Sequence, residues 1–431
     1  MHDGTALLVA LALTVSQASA GAQGSPASTA TSVSASTTHA PPARPRARDL
    51  GVPFEGTPGM LNAITDVPGV EVGFTTLISG DGKGPFVVGQ GPVRTGVTAV
   101  LPRGRHSKDP VFAGFFSQNG NGEMTGSEWL QEGGFLEGPV MITNTHSVGV
   151  VRDAVIAWEI RHSAEQEPKG VAEYPWSLPV VAETFDGGLN DVNGFHVHPE
   201  DAFHALDVAA SGPVAEGNVG GGTGMRCFGF KGGTGTASRV LSAAQGGYIV
   251  GVLVQCNTGQ RSQLRIAGIP VGQLVTAART PVGDGFPADP DRDVGSIIIV
   301  VATNAPLTSR QLDRLCKRAT LGLGRVGGTS GDGSGDIFLA FSTANPLADD
   351  IGIETPGAPR GPSSTVAHID MLFNDAMDPL FLATIQATEE AIVNALVGAE
   401  TMVGRNGRTL QALPHDELQA LMRQKFSPAA W

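Results

Sequence analysis

Ser296 stands where a polar loop ends and an apolar strand begins. Residues 279–294 are rich in Pro, Gly and Asp, Gly295 follows, and Ser296 leads directly into Ile297, Ile298, Ile299, Val300 and Val301. A serine hydroxyl at the head of a rigid strand can attack the carbonyl just before it. Water opens the resulting ester, and the product is a chain that begins with Ser296. Gly295 suits that step because it has no side chain and tolerates the strained backbone the attack requires. The freed α-amine, with a reference pKa of about 7.7 to 8.0, then lies beside its own hydroxyl and can act as its base, an N-terminal variant of triad logic. Read alone, the local pattern also describes a plain strand that follows a long linker.

Two further groups could assist such a nucleophile. In Gly331-Asp332-Gly333-Ser334-Gly335-Asp336, Ser334 and Asp336 alternate onto one face of an extended segment and could relay or orient a proton. The plain alternative is a glycine turn whose Asp bonds to backbone amides. Asn257, in Gln255-Cys256-Asn257-Thr258-Gly259, ends an apolar run, and its side-chain amide could donate to a developing oxyanion; near a Gly it is also an ordinary turn residue. His196-Val197-His198, with Asp191, Glu200, Asp201 and His204 close by, has a spacing that puts two ligands on one strand face. However, His198-Pro199-Glu200-Asp201 reads as a helix start, and no metal is expected. The glycine clusters at 220–224 and 232–236 match neither GxGxxG nor GK[ST], so no nucleotide is expected.

These residues need rigid supports. β-Branched runs at 97–101, 139–144, 179–182, 248–255, 296–302 and 336–342 read as strands. Several are apolar on both faces, which predicts cover on both sides. Thr308-Ser309-Arg310-Gln311 has capping-box form ahead of Leu312, Leu315, Cys316 and Ala319, and Asp378-Pro379 supplies a cap and a first-turn proline. The second helix then lines up Phe381, Ile385, Ile392 and Leu396 and stops at Gly398. Buried strands with amphipathic helices predict a layered α/β sandwich.

Composition narrows the partners. The 431 residues are 41% hydrophobic and 16% charged, enough for a large core. A formal net charge of -13 without any Lys/Arg-rich block argues against nucleic acid or an anionic membrane. Fifty-nine glycines, without a fixed-period repeat, and only two tyrosines describe short strands, tight turns and close backbone contacts. Residues 6–15 form a short apolar run followed by Ala18-Ser19-Ala20, the small-x-small pattern of a cleaved export signal, although Met1-His2-Asp3-Gly4 lacks the usual positive charge. A periplasmic or secreted protein is expected, with residues 1–20 a signal peptide and 21–49 a disordered Ser/Thr/Ala/Pro-rich spacer. Cys227, Cys256 and Cys316 show no CxxC spacing; at most one pair could bridge, and buried free thiols are the default reading.

Several stretches, in order, resemble the DmpA-like aminopeptidases, the L-aminopeptidase/D-esterase and β-aminopeptidase family. They begin at Leu61-Asn62-Ala63-Ile64-Thr65-Asp66 and continue through residues 120–126, 142–149, 182–191 and 231–239 to Gly295-Ser296, within a match over about residues 57 to 400. The resemblance implies an αββα sandwich of the DmpA/ornithine acetyltransferase type, one domain cleaved into a large chain (50–295) and a small chain (296–431). It further implies no cofactor, a homo-oligomer of such pairs, and small peptides or aminoacyl amides and esters with a free amine as substrates. Carried over, Ser296 is the nucleophile, Gly295-Ser296 the cleaved bond, Ser334 and Asp336 its assistants and Asn257 the oxyanion donor. Glu183 is the carboxylate that holds the substrate amine, and Phe185 stands where relatives commonly have a tyrosine. The alternatives are an ornithine-acetyltransferase-like acyltransferase, against which Ser rather than Thr at 296 argues, and a non-catalytic exported binding protein of the same fold.

Overall fold

The computed structural model describes residues 44–166, 176–275, 295–347 and 366–426. The expected signal peptide, most of the spacer and residues 279–294 of the loop before Gly295 lie outside them.

The strands in chain order are β1 (Glu71–Ser79), β2 (Val93–Leu101), β3 (Val111–Gly120), β4 (Phe135–Leu136), β5 (Val140–Asn144), β6 (Val180–Thr184), the two-residue β7 (Arg226–Cys227) and β8 (Phe230–Lys231), β9 (Gly233–Val240), β10 (Ile249–Asn257), β11 (Ser296–Thr303) and β12 (Gly335–Ser342). The helices are α1 (Ser127–Gly133), α2 (Val148–Gln166), α3 (Pro199–Asp207), α4 (Val271–Leu274), α5 (Ser309–Arg325), α6 (Asp378–Val397) and α7 (His415–Phe426). One sheet has the order β1-β2-β5-β6 and the other β4-β3-β12-β11-β10-β9. In the larger sheet β11 runs parallel to β12 and antiparallel to β10.

The strand alternation assigns each face of β11 to a different layer. Ile298, Val300 and Ala302 join Val100, Ile142 and Ala182 of the smaller sheet between the two sheets. Ile297, Ile299 and Val301 pack instead with Leu312 and Leu315 of α5 and Ala391 and Leu396 of α6. On the far side, Val97, Ala99 and Met141 meet Val151 and Val155 of α2 and Ala205 and Leu206 of α3. The result is the expected αββα sandwich, and it explains why its central strands are apolar on both faces. Helix α6 is long and apolar enough to cross a membrane, but it is largely buried as a core helix.

Two expectations need correction. The spacer cannot extend to residue 49, because Arg44–Leu50 already pack on the body. Ala47 is fully buried, Arg46 pairs with Glu216 at 2.8 Å, and Arg48 pairs with Glu390 at 2.7 Å. Two arginine side chains thus anchor a segment whose composition suggested none of this. The cysteines differ as well: Cys227 and Cys256 form a disulfide with a Cα–Cα distance of 5.5 Å, and only Cys316 is a buried free thiol. The bridge joins β7 to β10, a proximity created by tertiary folding across 29 residues rather than by local spacing.

Candidate active site

Every strand that carries a predicted site residue ends at the same edge of the sandwich. Ser296 opens β11 and is opposite Asn257, the last residue of β10, in the antiparallel register. The parallel neighbour β12 brings Asp336 beside Ile297. Ser296 is 7% exposed, and its Oγ accepts a hydrogen bond from the Gly335 N–H at 3.1 Å. That donor favours negative charge on Oγ as the hydroxyl loses its proton. Gly295 fits against the end of β10: a Cβ there would lie 2.1 Å from the Asn257 carbonyl oxygen and 2.6 Å from Thr258 Cα. Steric closeness is therefore a concrete reason for glycine before the serine.

Ser334 and Asp336 do meet. The Ser334 hydroxyl lies 3.1 Å from Asp336 Oδ2 and 2.8 Å from the Gly331 carbonyl, so its single proton can serve either acceptor. Asn119, at the end of β3, donates to the Ser334 hydroxyl at 3.2 Å and to its carbonyl at 2.6 Å. Asp336 is fully buried. Asn257 is oriented from two sides: its Oδ1 accepts from the Arg226 N–H at 2.8 Å, and its Nδ2 donates to the Phe185 carbonyl at 3.1 Å. The amide keeps a second hydrogen for another acceptor.

Glu183 reaches the same edge from β6 of the other sheet. It is 4% exposed; Oε1 accepts from the Glu123 N–H at 3.1 Å, and Oε2 accepts from the Thr145 hydroxyl. Among the described residues no Lys or Arg forms an ion pair with it, and burial raises its pKa more than those hydrogen bonds and His146 lower it. The turn after β3 connects it to the nucleophile: a Cβ on Gly122 would lie 3.3 Å from Glu183 Oε1 and 3.1 Å from Gly335 Cα. Only a residue without a side chain lets those two strand ends approach so closely. Phe185 is half exposed, and its ring packs over Gly187. Asp186, fully buried behind it, is pushed up to about 7 by burial, although bonds from Thr95 and Asn190 oppose the shift.

The structure brings Ser296, Gly295, Asn257, Ser334, Asp336, Glu183 and Phe185 to one edge. Sequence reasoning missed the Gly335 N–H, Asn119, Thr145 and the Arg226 N–H, because backbone donors and pairings across the fold leave no local signature. His196, weighed as a metal ligand, instead contacts Asp191 at 2.9 Å; among the described residues no three His, Cys, Asp or Glu side chains are grouped to hold an ion. A cavity of about 140 Å3 lined by Trp158, Trp176, Glu137 and Glu159 lies beside Leu101 and Pro139. Those positions are at the ends of β2 and β5 remote from Thr145 and Glu183.

A family model for peptidase family S58 matches residues 62–410. The chain belongs to peptidase family S58. Two S58 relatives are β-peptidyl aminopeptidases BapA. The protein of Sphingosinicella microcystinivorans is 55% identical over 88% of this chain and 92% of its own, and that of Sphingosinicella xenopeptidilytica is 50% identical over 89% and 92%. The fold is shared with a solved L-aminopeptidase D-Ala-esterase/amidase of Ochrobactrum anthropi, a prototype serine aminopeptidase with a variant Ntn hydrolase fold. It has a TM-score of 0.77 and 46% identity over 88% of this chain and 99% of that one. A β-aminopeptidase of a Burkholderia species gives 0.75 and 45% over 88% and 98%. As an S58 member, the protein is a serine aminopeptidase.

Proposed function

We propose that this S58 enzyme is exported, cuts itself at Gly295–Ser296 and releases N-terminal residues, β-amino acids among them, through an acyl-enzyme on Ser296. The observation that carries this reading is the common edge. A strand-head serine with a backbone N–H on its Oγ faces an amide donor and lies near a buried carboxylate that, among the described residues, pairs with no Lys or Arg.

In the first event Ser296 Oγ attacks the Gly295 carbonyl carbon. The C–N bond breaks as the amine takes the proton, and water then cleaves the ester. In turnover the free α-amine accepts the Oγ proton while Oγ bonds to the substrate carbonyl. The Asn257 amide stabilises the oxyanion, and Ser334 with Asp336 passes or orients the proton delivered to the leaving amine. Water repeats the sequence to release the acyl group. Glu183 receives the substrate ammonium as its cationic partner, and Phe185 lines the entry. Peptides and aminoacyl amides or esters with small residues such as Ala or β-Ala fit this arrangement. The two BapA relatives support the β-amino preference. The apolar run ending in Ala18-Ser19-Ala20 and a buried disulfide, which persists in oxidising compartments, support export. The active unit is a homo-oligomer of large and small chain pairs.

Intact-mass analysis tests the proposal. Purified protein should give two chains, the smaller starting at Ser296, and Ser296→Ala should give one inactive chain. Full activity in an uncut wild-type chain would overturn it.

A further inference from the structure

We infer that the Cys227–Cys256 disulfide and the Arg226 N–H position the reaction's oxyanion donor, holding the Asn257 amide with its nitrogen rather than its oxygen toward the site. This rests on the oxyanion role proposed above for Asn257.

The bridge brackets the amide. Cys256 immediately precedes Asn257, and Cys227 immediately follows Arg226, whose N–H donates to Asn257 Oδ1 at 2.8 Å. Both half-cystines are fully buried. One residue further along, the Phe228 N–H donates to the Thr258 carbonyl at 2.6 Å, so contacts flank the bridge on both sides. The packing is close: a Cβ on Gly232 would lie 2.5 Å from the Cys256 carbonyl oxygen and 2.6 Å from Cys227 Cβ.

The staple matters because β7 belongs to neither large sheet. Its ladder partner is β8, through Arg226 with Lys231 and Cys227 with Phe230. Strand β10, by contrast, is fixed between β9 and β11. The disulfide ties this small ribbon directly to the end of the strand that carries Asn257.

An asparagine amide rotates about a broad, two-fold χ2 profile, and its two ends differ only in hydrogen bonding. A donor fixed on Oδ1 selects one orientation. With Arg226 N–H in place, Nδ2 points the other way; one hydrogen goes to the Phe185 carbonyl and the other can meet the oxyanion. If β7 moves away, the amide can turn and offer a carbonyl oxygen to a developing negative charge. Arg226 N–H, Cys227 and Cys256 are thus positioning groups, which act through Asn257 and touch no substrate.

The first test counts thiols in active, denatured enzyme with an alkylating reagent: one without reduction and three after it. Three without reduction would overturn the inference. The second is a double-mutant cycle. Asn257→Ala should lower kcat by about 10² to 10³, the usual effect of losing one oxyanion donor. Cys227→Ala/Cys256→Ala should lower kcat by a comparable factor with KM unchanged. Combining all three should be no worse than Asn257→Ala alone, since coupled residues are non-additive. Independent, multiplied losses, or full kcat in the cysteine variant, would assign the bridge a merely structural role. If Asn257→Ala itself keeps its kcat, the oxyanion reading fails instead. Should the cysteine variant not fold, wild type is treated with dithiothreitol, which gives two electrons and two protons to the bridge and leaves two thiols and a cyclic disulfide. Denaturant is raised in steps until thiols appear, each sample being assayed and checked by circular dichroism. Activity falling with the two new thiols before the fold is lost supports the inference; retained activity, or activity lost only with the fold, overturns it.

Discussion

Glu183 and Glu390 are both nearly withdrawn from water, yet the fold treats them in opposite ways. Glu390, on α6, is fully buried and held by Arg48 at 2.7 Å, Arg239 at 2.8 Å and the Asn62 amide at 2.6 Å. Burial alone would raise its pKa, but these partners outweigh burial and keep it below the usual range. Glu183 accepts from the Glu123 N–H and the Thr145 hydroxyl and, among the described residues, pairs with no Lys or Arg, and burial raises its pKa. A carboxylate balanced inside the fold serves stability, whereas one with no cationic partner among the described residues, at the edge that holds Ser296, suits an incoming ammonium.

Asp336 extends the contrast to a third buried carboxylate, and its substitution carries the largest expected effect. Asp336→Asn should lower kcat by about 10² to 10⁴, the range for general acid–base groups, with the fold intact by circular dichroism. More than half the wild-type kcat in a folded variant would remove Asp336 from the proton path. Next in size, Glu183→Gln should lower kcat/KM for free-amine substrates by roughly 10², from the loss of a charge-assisted contact. Steady-state kinetics reads this directly.

Glu390→Gln should fail differently. It leaves Arg239, only 2% exposed, without its partner, and breaking a buried pair typically costs about 3 to 5 kcal/mol. Denaturant unfolding should register this loss, while kcat and KM of the folded fraction stay unchanged. The two glutamates should also have opposite pH signatures. The raised Glu183 pKa means that ionisation costs stability as pH rises through the folded value. Glu183→Gln should therefore melt above wild type at neutral pH, and the gain should vanish below the ordinary value of 4.5. The lowered Glu390 pKa stabilises the protein above its ordinary value of 4.5 and ceases to do so as pH falls through the folded value. The deficit of Glu390→Gln should accordingly narrow in acid. Melting curves across pH would break the comparison if both variants shifted in the same direction.

The smallest effect is expected at Phe185. Its ring is half exposed over Gly187, and Phe185→Tyr should leave kcat unchanged within error. A clear rise would show that the tyrosine hydroxyl the family resemblance implies at this position still has a place here.

The central strands were legible because burial on both faces leaves a continuous apolar run, as in β11. Strand β9, Gly233–Val240, was not: its residues are small and polar, and they read as a glycine cluster. The structure supplies the reason, since a Cβ on Gly235 would lie 2.1 Å from the Ala391 carbonyl oxygen of α6. Close packing against α6 requires that glycine. Ser296 and Asn257 could be nominated from their positions at strand ends. Glu183 needed the family resemblance, because a lone Glu after an apolar run has no local mark of function. Glu390 was not foreseen at all, since its arginines are more than 150 residues away in sequence.

The most direct test of Glu183 as an ammonium site is a substrate pair: an aminoacyl p-nitroanilide and its N-acetyl form, with wild type and Glu183→Gln. Wild type should favour the free amine by roughly 10² in kcat/KM, as expected when a shielded carboxylate loses a cationic partner, and Glu183→Gln should lose most of that preference. Equal hydrolysis of both substrates by wild type, or an undiminished preference in Glu183→Gln, would contradict the account.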